Sequence, residues 1–177
     1  MSADLLALYR QAGQWAAEKV AGARDLEAET PCPEWRVRDL LNHMLDTQRY
    51  FAGAARGEKV APPASTPPSL LTGDPTADFA RATAEVADAY APDGDIERTG
   101  PALGIAFSDQ LLHGWDLARA TNQDAAMPEG LAQAAYDCIH GRFTDEQRKG
   151  VFGPEIPVGD DATPQQRLLA YTGRDPN

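Results

Sequence analysis

The sequence has few of the residues that cross-link small proteins or bind metals. Its 177 residues include only two cysteines and three histidines. Cys32 and Cys138 lie far apart and form no C-x-x-C pair, so we interpret them as reduced thiols and not as a disulfide. No stretch approaches the roughly 18 consecutive apolar residues of a membrane span, and the N-terminus lacks the pattern of a secretory signal. We therefore expect cytoplasmic localisation and no membrane association.

Positive charge is also scarce. Lysine and arginine total 16 against 27 acidic residues, which gives a net charge of −11 with neutral histidine. No basic stripe offsets this excess, and a phosphate backbone would repel such a chain. We therefore exclude nucleic acid as a partner. Anionic membrane surfaces are disfavoured for the same reason.

Apolar residues recur with helical spacing, and strand-like alternation is missing. We predict one all-α domain over residues 1–177, which is long enough for a hydrophobic core. Ser2 and Asp74 are the predicted N-caps of the first and third helices. The predicted helices cover residues 3–20, 37–55, 75–90, 105–121, 128–139 and a short segment from Pro164 to Gly173.

The connections between these helices set the predicted topology. Residues 56–73 are rich in proline and serine, which is typical of a mobile surface crossover. The segments PDGD and ERTGPALG are predicted to break the chain before the fourth helix, and residues 151–162 are predicted to be irregular. Four longer helices predict a four-helix bundle, and the long crossover permits a non-sequential topology.

The stretch SDQLLHGWDLARATNQ contains the most informative pair of residues. Asp109 and His113 stand four residues apart on a predicted helix, so both face the same side, one turn apart. A carboxylate and an imidazole in this arrangement can chelate a divalent metal. The spacing alone is equally compatible with a surface hydrogen bond. The pair borders apolar surface, where an unpaired charge is costly.

His43 lies on another predicted helix, near the side that faces the core. Taken alone, it is better interpreted as a core or boundary histidine bonded to a backbone carbonyl. If the two helices are neighbours, His43, Asp109 and His113 form a three-ligand site with one open position. Such a set suits Zn²⁺ and also accepts Ni²⁺, Fe²⁺ or Mn²⁺. An open position is typical of a reactive site rather than a structural one.

Two further aspartates are candidates to orient the histidines. Asp116 and Asp46 each lie three residues beyond a proposed ligand. Asp116 is also the nearest alternative ligand, and Asp46 also fits a solvated carboxylate. His140 is explained by a solvated helix end, and Cys32, between two prolines, has no evident base to activate it. Trp35 and Trp115 read as core or as cavity wall.

Three segments together resemble the DinB-like helical-bundle superfamily, in particular the branch related to the metal-binding domain of mycothiol-dependent maleylpyruvate isomerase. They are TPCPEWRVRDLLNHMLD, SDQLLHGWDLARATNQ and VFGPEIPVGDDATPQQRLLAYTGRDP. The resemblance implies a DinB/YfiT-like four-helix bundle with short additional C-terminal helices. It also implies a divalent metal held by His43, Asp109 and His113. It further implies a low-molecular-weight thiol such as mycothiol as cosubstrate. Dimers are frequent in this branch, so the resemblance is also compatible with a homodimer.

The chain also departs from the family pattern. Arg36 stands where a hydroxyl or other polar cap is common, and ERTGPALG is short for a segment that helps to wall the site in relatives. The isomerase has an extra substrate-binding domain, so its isomerisation is not carried over to this chain. Three functions stay open: a metal-dependent transferase or isomerase that uses a thiol, a metal-containing binding or stress-related protein, and a helical interaction module with a vestigial site.

Overall fold

The computed structural model describes the backbone of residues 2–91 and 96–177 and the side chains of residues 5–91 and 101–177. Every regular element in these ranges is a helix, which confirms the all-α prediction. Within the same ranges, no helix combines the length and the hydrophobicity that crossing a membrane requires. The helices are α1 (Ser2–Gly22), α2 (Val37–Ala55), α3 (Pro75–Tyr90), α4 (Ile96–Ala120), α5 (Leu131–Ile139), α6 (Asp145–Arg148) and α7 (Pro164–Tyr171).

The four longer helices pack as a bundle whose spatial order differs from the chain order. Helix α1 packs against α3 and α4, and α2 packs against the same two helices. The contact of α1 with α4 is close, because a Cβ added at Gly114 would lie 2.7 Å from the Trp15 ring. Helix α5 packs on α4 and on α7. This arrangement puts α2 beside α4, which the proposed metal site requires.

The proline-rich crossover between α2 and α3 is anchored, in contrast to the mobile segment that its composition predicts. The Oδ1 atom of Asn42 accepts backbone N–H groups of Leu70 and Leu71, at 2.6 and 3.0 Å. The Trp35 indole donates to the carbonyl of Ser65 at 3.0 Å. A buried asparagine and an indole N–H thus supply partners that composition cannot reveal, and they hold the crossover against the start of α2.

Helix α4 begins at Ile96, well before the predicted start at residue 105. Pro101 lies inside it, although a proline removes one helical hydrogen bond and usually marks an end. Among the residues that follow, Leu103, Ala106 and Phe107 are buried in the core. This packing offsets the cost of the lost hydrogen bond. The preceding PDGD segment, residues 92–95, lies outside the described residues.

Two other boundaries differ from the prediction. Helix α5 begins at Leu131 and not at Pro128, because Gly130 has a φ of +81°, a left-handed conformation that precludes α-helix there. Helix α6 was not predicted, and it is a single turn capped by Thr144. The end of α4 agrees with the prediction, since Asn122 has a φ of +55°, as expected of an asparagine that ends a helix.

Candidate metal centre

The structure brings His43, Asp109 and His113 together between α2 and α4. One nitrogen of each histidine and one Asp109 oxygen all lie within 4.8 Å of one another. The His113 Nε2 atom is 3.4 Å from Asp109 Oδ1. Two ligand atoms on one tetrahedral zinc ion, each about 2.0–2.1 Å from it, would be roughly 3.3 Å apart. The spacing of the His113–Asp109 pair therefore suits a shared metal.

Two atoms of this group are buried without a hydrogen-bond partner. They are His43 Nδ1 and Asp109 Oδ2. Burying such atoms unpaired is costly, and native structures seldom leave them so. A cation between the two side chains would satisfy them, so the residues fit the divalent metal that the resemblance implies.

The protonation of His43 suits a ligand. Burial, together with the nearby charge of His113, lowers the pKa of His43 to about 4. Its imidazole is therefore neutral near pH 7, with a free lone pair. The Nε2 atom lies 3.4 Å from the Thr47 hydroxyl, one turn further along α2.

His113 is flanked by two carboxylates. Its Nδ1 lies 2.9 Å from Asp116 Oδ2, on the side opposite to Asp109. Burial would lower the pKa of His113, but Asp109, Asp116 and Cys32 together raise it well above the usual value. In the metal-free site the ring is an imidazolium that lies between the carboxylates of Asp109 and Asp116. A metal that binds at Nε2 must therefore displace a proton.

Asp116 is fully buried and receives a second partner from the end of the chain. Arg174 donates from Nε to Oδ1 at 2.8 Å and from Nη2 to Oδ2 at 2.7 Å. Burial would raise the pKa of Asp116, but the Arg174 guanidinium and His113 hold it well below its ordinary range. Asp116 is thus a carboxylate shared by an arginine and a histidine. Arg174 lies 58 residues away from Asp116 in the chain, so no local sequence pattern indicates this contact.

Cys32, His113 and Asp116 form a second cluster of ligand-type atoms, also within 4.8 Å of one another. The Cys32 thiol donates to Asp116 Oδ2 at 3.3 Å. Arg174 already occupies both oxygens of that carboxylate, so a cation is present where a second metal would need to bind. We therefore interpret this cluster as the support of His113 and not as a second metal site.

Trp35 walls one side of the candidate centre. Its ring centroid lies 4.6 Å from that of His43 and 6.4 Å from that of His113. The turn before α2 holds it there, because Thr30 Oγ1 donates to the Trp35 carbonyl and accepts from the Cys32 N–H. Trp35 itself is half-buried. Two clefts lie elsewhere, along the C-terminal segment.

The other candidates lie apart from this group. No hydrogen bond joins the described side chains of Asp46 and His43, and Asp46 is partly exposed. His140 is exposed at the end of α5 and stacks on Tyr136, with a centroid distance of 4.7 Å. The capping of α2 is better than Arg36 suggested, since Asp39 accepts the Arg36 N–H at 3.0 Å.

Comparison with known proteins identifies the family of this chain. The family model of the mycothiol maleylpyruvate isomerase N-terminal domain matches residues 9–127, which include all three candidate ligands. Two uncharacterised proteins of Mycobacterium tuberculosis, from strains CDC 1551 / Oshkosh and ATCC 25618 / H37Rv, are each 28% identical over 188 residues. The alignments cover 97% of this chain and 98% of each relative. No solved structure is a significant match. The chain therefore belongs to the mycothiol maleylpyruvate isomerase N-terminal domain family.

Proposed function

We propose that this protein binds one divalent metal ion through His43, Asp109 and His113 and uses it to activate a low-molecular-weight thiol of the mycothiol type. The reaction class is thiol transfer or thiol-dependent isomerisation. The observation that carries the proposal is the buried, unpartnered pair of His43 Nδ1 and Asp109 Oδ2 beside His113. Zinc is the best match to two imidazoles and one carboxylate, and Ni²⁺, Fe²⁺ and Mn²⁺ also suit this set.

The charges of the site favour an anion as the remaining ligand. In the metal-free protein, the carboxylates of Asp109 and Asp116 are balanced by Arg174 and by protonated His113. A divalent ion that replaces the His113 proton leaves one net positive charge. Because a buried net charge is costly, a singly charged anion such as a thiolate or hydroxide restores neutrality.

When bound, the metal supplies Lewis acidity that lowers the pKa of a coordinated thiol or water. The protein's own residues set the geometry around it. Asp116 accepts the His113 Nδ1–H and so directs Nε2 towards Asp109. Neutral His43 contributes a lone pair without adding charge. The Trp35 ring packs against His43 and covers that side of the site.

Metal content tests the binding claim. Purified protein loaded with zinc and dialysed should retain about one equivalent by elemental analysis. His43→Ala and His113→Ala should lose the metal. His140→Ala is the matched control and should retain it, because this exposed histidine lies at the end of α5. Wild-type content below about a tenth of an equivalent, or full retention by His113→Ala, would contradict the proposal.

Thiol consumption tests turnover separately. Zinc-loaded wild type should accelerate the reaction of mycothiol with at least one member of a panel of electrophiles, relative to the chelator-treated protein. The His113→Ala variant should not. If zinc binds but the loaded protein neither consumes thiol nor converts any of the electrophiles faster in the presence of thiol, the protein is a metal-containing binding protein, and the catalytic part of the proposal is wrong.

A further inference from the structure

We propose that Arg174 is a positioning residue of the metal centre: it locks the Asp116 carboxylate so that His113 can present only Nε2 to the metal. This inference rests on the proposed metal site and extends it to a part of the chain beyond the family-matched region. Arg174 follows α7, whereas the match ends at residue 127. The proposal assigns a role in the site to the C-terminal segment.

The contact between Arg174 and Asp116 fixes the plane of the carboxylate. Two parallel N–H groups of Arg174 reach the two different oxygens, at 2.8 and 2.7 Å. Bidentate pairs of this kind add geometric specificity to their energy. The Asp116 side chain is fully buried and that of Arg174 is 14% exposed, so water cannot readily replace either partner. Rotation of the carboxylate would break both bonds together.

The orientation of the His113 ring depends directly on that carboxylate. Its Nδ1 lies 2.9 Å from Asp116 Oδ2, the same oxygen that accepts from Arg174 Nη2. A flipped imidazole would lose this charge-assisted bond and turn Nδ1 away from its acceptor. Holding Asp116 therefore holds the ring, with Nε2 towards Asp109.

The local sequence explains why Arg174 points inward. The Arg174 N–H bonds to the Leu169 carbonyl at 2.9 Å, and the Gly173 N–H bonds to the Ala170 carbonyl at 3.0 Å. This pair of bonds is the Schellman ending of a helix, which needs a left-handed residue. Gly173 supplies it, with a φ of +78°. An added Cβ there would lie 2.6 Å from the Gly153 backbone, so only glycine fits.

The alternative role of Arg174 is simple neutralisation of a buried carboxylate. The two roles differ in what a lysine can do. Lysine keeps the positive charge but has a single ammonium group and cannot form the fork. If neutralisation is the whole role, Arg174→Lys should behave as wild type at the metal. If positioning matters, Arg174→Lys should fold and still bind metal more weakly.

The test compares the zinc affinity of Arg174→Lys and Arg174→Met with that of wild type, by competition with a chromogenic chelator. Arg167→Met, an exposed arginine of α7, is the matched control. We expect Arg174→Met to weaken zinc binding about 10- to 100-fold, Arg174→Lys to weaken it less but measurably, and Arg167→Met to match wild type. In the metal-free protein, the Nδ1-bound proton of His113 should exchange with solvent faster in both Arg174 variants, as seen in ¹⁵N-correlated spectra.

The outcomes separate this proposal from the proposed function. Wild-type zinc affinity and an unchanged His113 proton in Arg174→Lys would overturn the positioning role alone. No zinc binding by wild type would overturn the metal site itself. If Arg174→Met does not fold, the double variant Asp116→Asn/Arg174→Met removes both charges together. It should lose zinc affinity to a similar extent, and a wild-type affinity in that variant would also overturn the proposal.

Discussion

Replacing Asp116 with alanine should destabilise the metal-free protein by about 3 kcal/mol. Asp116 lies at the junction of α4 with the C-terminal segment and accepts hydrogen bonds from Arg174, His113 and Cys32. The alanine variant leaves a buried guanidinium without its counter-charge. Removing one partner of a buried ion pair typically costs about 3–5 kcal/mol.

The lower end of that range applies here. Arg174 keeps 14% of its side-chain area in water, so the freed guanidinium can be partly solvated. His113 can also release its proton once one of its two carboxylates is gone. A loss of about 3 kcal/mol is a large part of the roughly 5–15 kcal/mol that stabilises a domain. For a chain of this length it corresponds to a decrease in melting temperature of about 6–12 °C.

The measurement is urea denaturation of wild type and variant with a metal chelator present, so that lost metal binding does not contribute. Asp46→Ala is the control. It is also a helical aspartate three residues beyond a candidate histidine, but it is partly exposed and makes no hydrogen bond with His43. We expect this control to lie within about 0.5 kcal/mol of wild type. A loss below about 1 kcal/mol for Asp116→Ala would refute the argument.

Three further outcomes follow from the same geometry. Burial lowers the pKa of His43 to about 4, so between about pH 6.5 and 4 the unfolded chain binds more protons at this residue than the folded protein does. The free energy of unfolding of the metal-free protein should therefore fall by up to about 3 kcal/mol as the pH drops through that window. Urea titrations of His43→Gln should show a smaller fall. Cobalt(II) should quench part of the tryptophan fluorescence of wild type, and Trp35→Phe should remove most of that quenching, since the Trp35 ring lies 4.6 Å from His43. Gly114→Ala should cost about 1–2 kcal/mol in urea denaturation, because its Cβ would meet the Trp15 ring at 2.7 Å, and unchanged stability would contradict the close packing of α1 on α4.

The proximity of Asp109 and His113 could be predicted because it follows a local rule. Asp109 and His113 are one helical turn apart, and the position of Asp116 follows from the same periodicity. The packing of α2 against α4 joins residues that are far apart in the chain, so the family resemblance was needed to place His43 beside Asp109 and His113. Once these helices pack together, no rearrangement is required to bring the three donors within 4.8 Å.

The support of the site could not be predicted from periodicity. Arg174 reaches Asp116 across 58 residues of sequence, and Cys32 does so across 84. Neither contact leaves a spacing signal. The one available clue was Gly173, a glycine that ends a short helix and thereby turns the next side chain inward. The start of α4 was predicted too late for a different reason. In an isolated helix Pro101 would mark a break, but in this protein the core packing of α4 keeps the helix intact.

The proposed metal site is therefore built from two parts of the chain that have different roles. The proposed metal ligands lie within residues 9–127, the region that the family model matches. The group that fixes the orientation of His113 comes from the end of α7, and it acts through a carboxylate on α4. A metal bound here must replace the His113 proton, and the ease of that exchange depends on how firmly Asp116 holds the opposite nitrogen. Substitution of Arg174 should therefore change metal affinity without altering any proposed ligand, whereas His43→Ala on α2 and His113→Ala on α4 should remove the site outright.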